Sequence, residues 1–252
     1  MDIPHTAPLQ QAKPKTLFVK SLLLPLGIVL IAWSVKIAEI VFQLELFHYG
    51  IFPLKASGLP GILFSPFIHQ DFHHLINNSI PLLVLGTALH YFYKEIAVRV
   101  WVFSFIITGT WVWFFARDSY HIGASGLVYS LALFVFVSGV IRKHPRLIAI
   151  SLLVVFLYGS MLWGIFPIKD RISWESHLMG ALSGIVLAFF FRNEGLQRQV
   201  YDFELEEGYD DDEDEEYFEE NDNESDEFKP AKGSTGKSKA ESPGYFSPPT
   251  IS

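Results

Sequence analysis

The chain has 252 residues, of which 50% are hydrophobic and 15% aromatic, and it contains no cysteine. Its apolar residues form runs of roughly the 20 residues that a helix needs to cross a bilayer, which predicts a multi-pass membrane protein. The lack of cysteine excludes disulfides, thiolate nucleophiles and cysteine-bound zinc. The net charge of −8 is uneven, because residues 193–252 hold 19 of the 27 acidic residues and 5 of the 19 basic ones. Two regions of different character therefore join near Arg192.

The first apolar run follows a polar, basic N-terminal segment, residues 1–16. We predict a first span over residues 17–41, retained because no small-residue cleavage site follows it. Lys36 and Glu39 near its far end can pair with each other or reach the interface. Residues 42–66 are aromatic with interspersed Gly and Pro, which indicates a loop partly immersed in the interface.

Five more apolar segments complete a prediction of six transmembrane helices: 74–93, 96–116, 125–141, 147–166 and 174–191. Most basic residues of the connecting segments fall on the side of the two termini, so the positive-inside bias puts both termini in the cytoplasm. The fourth span is short, and its first residues are expected below the outer surface of the membrane. The sequence thus predicts an all-α membrane protein with a six-helix bundle over residues 17–192.

The remaining segment, residues 193–252, carries a dense Asp/Glu block over 202–227 and then a stretch rich in Lys, Ser, Gly and Pro. Such a composition cannot bury enough apolar area to fold. We expect a disordered acidic cytoplasmic tail, and recruitment of a basic partner by this tail stays open.

Polar residues of the predicted spans converge at one end of the bundle. Spans two, four and six run in the same direction, so their N-terminal ends share one face of the membrane. His74 and Asn78 begin span two, Ser125 begins span four, and His177 lies in the first turn of span six. At about 1.5 Å per residue, these groups fall within a layer on the order of 10 Å thick. An irregular Gly-Ala-Ser-Gly turn at this depth is tolerated only inside protein or beside water, which predicts a wet pocket.

Two small-residue faces predict close packing of spans four and six. They are Gly126-x-x-x-Ser130 and Gly180-x-x-x-Gly184, and such faces let helix backbones approach each other. Ser125 adjoins the first face and His177 shares a helical face with the second. A hydrogen bond between the hydroxyl and the imidazole is therefore geometrically reasonable.

A serine beside a histidine indicates nucleophilic acyl transfer, with neutral His177 taking the proton of Ser125. A dyad would suffice, because neither Asp170 nor Glu175 is clearly placed as a third member. Tyr129, one turn beyond the serine, could stack on the imidazole and fix its orientation.

A tetrahedral oxyanion would need hydrogen-bond donors near the serine. The Ser125 backbone N–H, the His74 ring and the Asn78 amide are available. His73-x-x-x-Asn77 has the same spacing as His74-x-x-x-Asn78, and we favour the later pair.

These motifs resemble the rhomboid family of intramembrane serine proteases over roughly residues 17–192. Gly123-Ala124-Ser125-Gly126 is similar to the family's Gly-x-Ser-Gly motif, which implies Ser125 as the nucleophile. His74-x-x-x-Asn78 is similar to the motif of the second helix, which implies oxyanion stabilisation by both residues. His69 matches a further histidine before that helix. His177 with Gly180 and Gly184 matches the sixth helix, and Tyr129 matches the tyrosine that stacks on the histidine.

Two positions depart from the family pattern. Residues 42–66 contain neither Trp nor Arg, whereas many members carry Trp-Arg in this loop. Ser176 stands where a small Ala usually precedes the catalytic histidine, and this change adds a hydroxyl near the site.

Other chemistries fit the sequence less well. A metalloprotease would need His-Glu-x-x-His and an aspartyl protease two Asp within the spans, and neither pattern occurs. A transporter would be expected to show paired broken spans or an inverted repeat, which we do not find. A histidine-only metal site is conceivable from His69, His73, His74, His121 and His177, although the serine motifs explain more of these positions.

The resemblance implies an intramembrane serine endopeptidase that cuts transmembrane proteins near the outer face, without metal or cofactor and without a nucleic-acid partner. The alternative is a non-catalytic relative that binds transmembrane clients. Small or helix-breaking residues are the expected preference at the cut site, with entry between spans two and five and a gate or cap over 161–171. The lack of a transit peptide favours a bacterial inner membrane.

Overall fold

Six long α-helices make up most of the residues that the structure, a computed structural model, describes: 14–167 and 173–197. They are α1 (Pro14–Val41), α2 (Phe72–Phe92), α3 (Ala97–Phe115), α4 (Ser125–Arg142), α5 (Pro145–Tyr158) and α6 (Trp174–Phe190). Within these ranges there is no β-strand, only an isolated bridge between Ile51 and His121. The all-α prediction is confirmed. Residues 1–13 and the acidic tail beyond residue 197 lie outside the described residues.

Four of the helices, α1 to α4, are long and apolar enough to cross a membrane by length and composition. The apolar helices α5 and α6 are shorter, with 14 and 17 residues. The multi-pass character is therefore supported, whereas the count of six spans and the orientation of the termini stay predictions.

The fifth predicted span differs from the structure. We expected it over 147–166, but α5 ends at Tyr158 and a 3₁₀ segment, Gly159–Ile165, follows. Gly159 and Gly164 favour this change, because glycine is a poor helix former and 3₁₀ turns are common at helix ends. The tighter turn directs the backbone of Gly164 towards the first turn of α6.

Helices α4 and α6 pack against each other through their small residues. A Cβ atom on Gly180 would collide with the carbonyl oxygen of Gly126, and one on Gly184 would collide with that of Ser130. This backbone contact is the close approach that the two small-residue faces predict.

A cluster of buried serines joins α3, α4 and α6 below that contact. The Ser130 hydroxyl donates to Ser104 Oγ at 2.8 Å and lies 3.1 Å from Ser183 Oγ. These hydroxyls satisfy one another, so the cluster holds three helices together without leaving a buried polar group unpaired.

Arg142 ties α4 to the end of α6 that lies away from Ser125. Its guanidinium donates to the carbonyl of Phe191 at 2.6 Å, to the carbonyl of Glu194 and to Ser138 Oγ at 2.8 Å. The last carbonyls of a helix have no partner within the helix, and a cation there also complements the helix dipole. Both ends of the α4–α6 pair are therefore fixed.

Lys36 of α1 anchors the chain just before α2. Its ammonium is 2.7 Å from Glu39, as one of the two sequence alternatives proposed, and it also donates to the carbonyls of His69 and Gln70 at 3.0 and 2.9 Å. The residue is only 7% exposed, so all three N–H donors are used where water is scarce. Lys36 thereby positions the entry of α2.

Candidate active site

A cavity of about 790 Å³ lies where α2, α4 and α6 begin. Its walls include the residues that the sequence grouped together: His74, Asn78, Ser125, Tyr129 and His177. The structure therefore brings these side chains into one place, although they come from three separate helices.

The turn before Ser125 depends on Gly123. This residue has φ = +104°, a conformation that L side chains rarely adopt, and its N–H donates to the Ser65 carbonyl at 2.8 Å. A Cβ atom here would lie 2.6 Å from Cε1 of His74 and 3.5 Å from Nδ2 of Asn78. Glycine therefore allows the backbone to approach both α2 side chains.

Ser125 is the first residue of α4, and it is half-buried at the cavity wall. The Ala124 carbonyl accepts from the N–H of Val128, so the N–H of Ser125 has no acceptor within the helix. A hydroxyl and a backbone N–H without an intrahelical acceptor thus occur on the same residue at the positive end of the helix dipole.

His177 is held by α4 and by the 3₁₀ segment. Its Nδ1–H donates to the carbonyl of Gly164 at 2.8 Å, and its ring stacks on Tyr129 with centroids 4.4 Å apart and planes 10° from parallel. Since a carbonyl oxygen can only accept, Nδ1 carries the proton and a neutral ring leaves a lone pair on Nε2. The sequence predicted the stacking of Tyr129 on His177 but not the bond to Gly164, because a backbone carbonyl has no signature in side-chain patterns.

Ser125 Oγ and His177 make no direct hydrogen bond in the structure. Both groups border the same cavity, but the bond that the sequence suggested is not formed. Catalytic hydrogen bonds are often long in unliganded enzymes and tighten when substrate binds.

Asn78 and Asn77 occupy different environments. Asn78 is 6% exposed, and its buried Nδ2 has no hydrogen-bond acceptor among the described residues. Asn77 is exposed and lies against His73. The 74/78 pair is therefore the one that contacts the Gly123 turn.

Asp71 determines where α2 begins. Its carboxylate accepts the N–H of His74 at 2.7 Å as an N-cap, and this bond lowers the pKa of Asp71. Asp71 directly precedes the observed start of α2 at Phe72, two residues before the predicted start of the span at residue 74. An Asp before an apolar helix is the sequence signal for such a cap.

His69 supports the serine turn from behind. Its Nε2 accepts the N–H of Ala124 at 3.4 Å, and the residue is only 2% exposed. Burial, followed by the charge of neighbouring His74, lowers the pKa of His69 to about 4. His69 thus lies behind the site, where it supports the turn that precedes Ser125.

We expect the stability of the protein to fall as the pH drops from about 6.5 to 4. Within this window an unfolded histidine binds a proton that folded His69 does not, so protonation favours the unfolded state. The full difference corresponds to roughly 3 kcal/mol, at about 1.4 kcal/mol per pKa unit. Thermal unfolding of detergent-purified protein across this range would measure it.

The matched variant is His69→Gln, which keeps an acceptor for Ala124 but does not titrate. It should show a shallower loss of stability between pH 6.5 and 4 than the wild type. An identical slope would contradict the role assigned to His69.

A second polar group borders the site beside α6. His121 Nε2–H donates to the Arg117 carbonyl at 3.0 Å, Ser173 donates to His121 Nδ1 at 2.5 Å, and Ser173 and Ser176 hydroxyls lie 2.7 Å apart. Burial lowers the pKa of His121. The extra hydroxyl of Ser176 thus joins a network that fixes the start of α6.

Of the two acidic candidates for a third member, the described one, Glu175, pairs with Arg117. The carboxylate of Glu175 lies 3.3 Å from Nε of Arg117, and Asp170 lies outside the described residues. Across residues 14–167 and 173–197, no group of three or more His, Cys, Asp or Glu side chains is close enough together to hold a metal ion.

Comparison with known proteins identifies a family whose sequence pattern matches the region of the candidate site. The family model described as "Rhomboid domain" matches residues 57–194. An uncharacterized protein of Mycobacterium tuberculosis is 39% identical over 152 residues, 56% of this chain and 62% of the relative. An uncharacterized protein of Mycobacterium leprae is 38% identical over 165 residues, 61% of this chain and 65% of the relative.

The chain spans less than two thirds of the length of these mycobacterial relatives. The family model, in contrast, covers more than half of the chain and includes all of α2 to α6. The region with the converging serine, histidines and asparagine is therefore the region that matches, and the chain belongs to the rhomboid family of multi-pass membrane proteins.

Proposed function

We propose that this chain is an intramembrane serine endopeptidase that hydrolyses peptide bonds in or near transmembrane segments. Ser125 acts as the nucleophile and His177 as the general base. The observation that carries this proposal is the orientation of His177, whose Nδ1 is occupied by Gly164 and whose ring is stacked on Tyr129 at the wall of the Ser125 cavity.

In the first step Ser125 Oγ attacks the carbonyl carbon of the scissile bond and its proton passes to Nε2 of His177. The electron pair of the carbonyl moves to its oxygen. The backbone N–H of Ser125, the unpaired Nδ2 of Asn78 and the His74 ring are the donors for this oxyanion. Removing one such donor typically costs about 2.7–4 kcal/mol of transition-state stabilisation.

The intermediate then collapses and the C–N bond breaks. His177 returns the proton to the leaving amine, which departs as the new N-terminus and leaves an ester on Ser125. A water molecule then attacks this ester, and His177 takes a proton from it. His177 gives this proton to Ser125 Oγ as the ester bond breaks, which releases the carboxylic acid product and regenerates the free serine. The cavity of about 790 Å³ has room for this water.

Substrates are membrane proteins whose helix unwinds locally at the cut site, since a helical peptide bond is shielded. Helices α2 and α5 pack against each other only weakly among the described helices, which favours entry between them. Gly164 belongs to the predicted gate over 161–171, and its bond to His177 couples that segment to the site. A bacterial inner membrane is the proposed location, with residues 17–192 as the protease domain and 193–252 as a cytoplasmic tail.

One observation favours a second candidate, a non-catalytic protein that binds transmembrane clients. Ser125 and His177 are not hydrogen-bonded in the structure, so the dyad would have to form when a client enters. The presence of both residues and the fixed tautomer of His177 favour the protease.

Cleavage in proteoliposomes tests the proposal. Purified protein is reconstituted with a tagged single-span substrate that carries Gly and Ser in the outer half of its span. We expect wild-type protein to release a fragment cut within this half. Co-purification of intact substrate without any cleavage would instead support the client-binding candidate.

A further inference from the structure

Two exposed polar side chains on α2 have no role in the chemistry proposed above. His73 and Asn77 share the spacing of His74 and Asn78 but lie on the neighbouring face of the helix, where both are exposed. Both border the same cavity as Ser125 and His177. The first turns of α2 thus present one polar pair to the Gly123 turn and a second pair to the open side of the cavity.

His73 and Asn77 use only part of their hydrogen-bonding capacity on each other. Asn77 Nδ2 donates to His73 Nδ1 at 3.1 Å and also lies 3.4 Å from Nε2 of the ring. An amide has two N–H donors and an oxygen with two lone pairs, so Asn77 keeps an N–H and its Oδ1. The remaining N–H of Asn77 can donate to the carbonyl of a peptide group, and its Oδ1 can accept from the N–H of a peptide group.

The pair lies where an unwound chain would need partners. Polar groups on a membrane-spanning helix are costly unless they face a polar cavity or a partner. A substrate strand that leaves its helical state exposes main-chain donors and acceptors, and it must satisfy them in the same cavity. Further down α2, Leu83 and Val84 line an apolar cleft with Ile150 of α5, which suits a segment that stays helical.

We propose that His73 and Asn77 form a docking site for the main chain of the unwound substrate segment next to the scissile bond. Asn77 pairs with one peptide group of the substrate, and His73 orients the Asn77 amide. The pair acts on binding, not on the reacting atoms. This inference rests on the proposed protease function for its substrate class.

The test measures binding without hydrolysis. In the Ser125→Ala background, a fluorescein-labelled soluble peptide rich in Gly and Ser is titrated with protein in detergent, and anisotropy gives its Kd. Replacing both residues, as His73→Leu with Asn77→Leu, should raise this Kd by roughly 10-fold, the effect expected for one or two lost hydrogen bonds. Asn77→Gln alone, which keeps an amide, should recover most of the affinity.

Matched controls come from the same helix. Ile76 and Ile80 are exposed and do not border the cavity, so Ile76→Ala and Ile80→Ala should leave the Kd of the peptide within a factor of about two. The thermal unfolding midpoints of all variants should agree, because His73 and Asn77 are exposed and contact each other only at the surface. A Kd that is unchanged in the double Leu variant overturns the proposal.

With Ser125 restored, the double Leu variant should raise KM for a cleaved peptide far more than it lowers kcat. A loss confined to kcat would overturn the docking role and place the pair in the chemistry. A rise in KM seen only in proteoliposomes, and not with soluble peptide, would also overturn it and indicate contact with lipid headgroups. Wild-type protein that binds the peptide through the pair but never cuts would contradict the protease function alone.

Discussion

Replacing Ser125 with alanine is expected to abolish hydrolysis of a reconstituted transmembrane substrate. The oxygen that forms the ester intermediate is lost, and the nearby hydroxyl of Ser173 at the start of α6 is bonded to His121 and Ser176. His177→Ala should have nearly the same effect, because nucleophile and base act as a unit. We expect each variant to lower kcat by on the order of 10³-fold or more, and the double variant to be no worse than either alone.

The control for this prediction is Ser34→Ala. Ser34 is exposed on α1 and its hydroxyl bonds only to the Leu30 carbonyl, so this variant should cleave at the wild-type rate. Cleavage that persists in Ser125→Ala would show that the nucleophile is wrongly assigned. If cleavage persists in His177→Ala but not in Ser125→Ala, the assignment of Ser125 as the nucleophile would stand and that of His177 as the general base would be wrong.

The second large effect is expected from Gly180→Ala in α6. A methyl group there would collide with the Gly126 carbonyl oxygen, so α4 and α6 must separate. Overpacking of this kind costs about 1–3 kcal/mol or more, and it should lower the thermal unfolding midpoint in detergent. Because Gly180 is less than one turn from His177, activity should fall further than stability, by about 10²-fold for a displacement of roughly 1 Å.

Gly27→Ala provides the matched control for this variant. Gly27 lies inside α1, and a Cβ atom there would meet no other atom within 4 Å. Alanine is a better helix former than glycine, so this change should stabilise the protein by about 0.5–1 kcal/mol. Equal unfolding midpoints for the two variants would contradict the α4–α6 contact.

Side-chain patterns were sufficient to predict the helices and the grouping of the site. Apolar runs located α1 to α4 within a few residues, and the spacing of His74, Asn78, Ser125 and His177 placed four side chains at one end of the bundle. Small residues at Gly180 and Gly184 signalled the contact with α4, because only the lack of a side chain lets two backbones approach so closely.

Features that depend on the backbone could not be predicted in this way. The end of α5 at Tyr158 was missed because the apolar run continues through the 3₁₀ segment, and the only local signals for the change are the glycines Gly159 and Gly164. The bond from His177 to the Gly164 carbonyl follows from that turn, so it was missed as well. The pairing of Lys36 with Glu39 was one of two sequence alternatives, and the two carbonyls that Lys36 also holds were missed because they belong to a distant part of the sequence.

The most direct test of the central claim is the reaction of purified protein with a fluorophosphonate probe, followed by mass spectrometry of the labelled peptide. An activated serine attacks the phosphorus and keeps the probe as a stable adduct, whereas an ordinary serine does not react. We predict a single adduct on Ser125 that is absent from both Ser125→Ala and His177→Ala. An adduct on another serine, or a folded wild-type protein that is never labelled, would contradict the account.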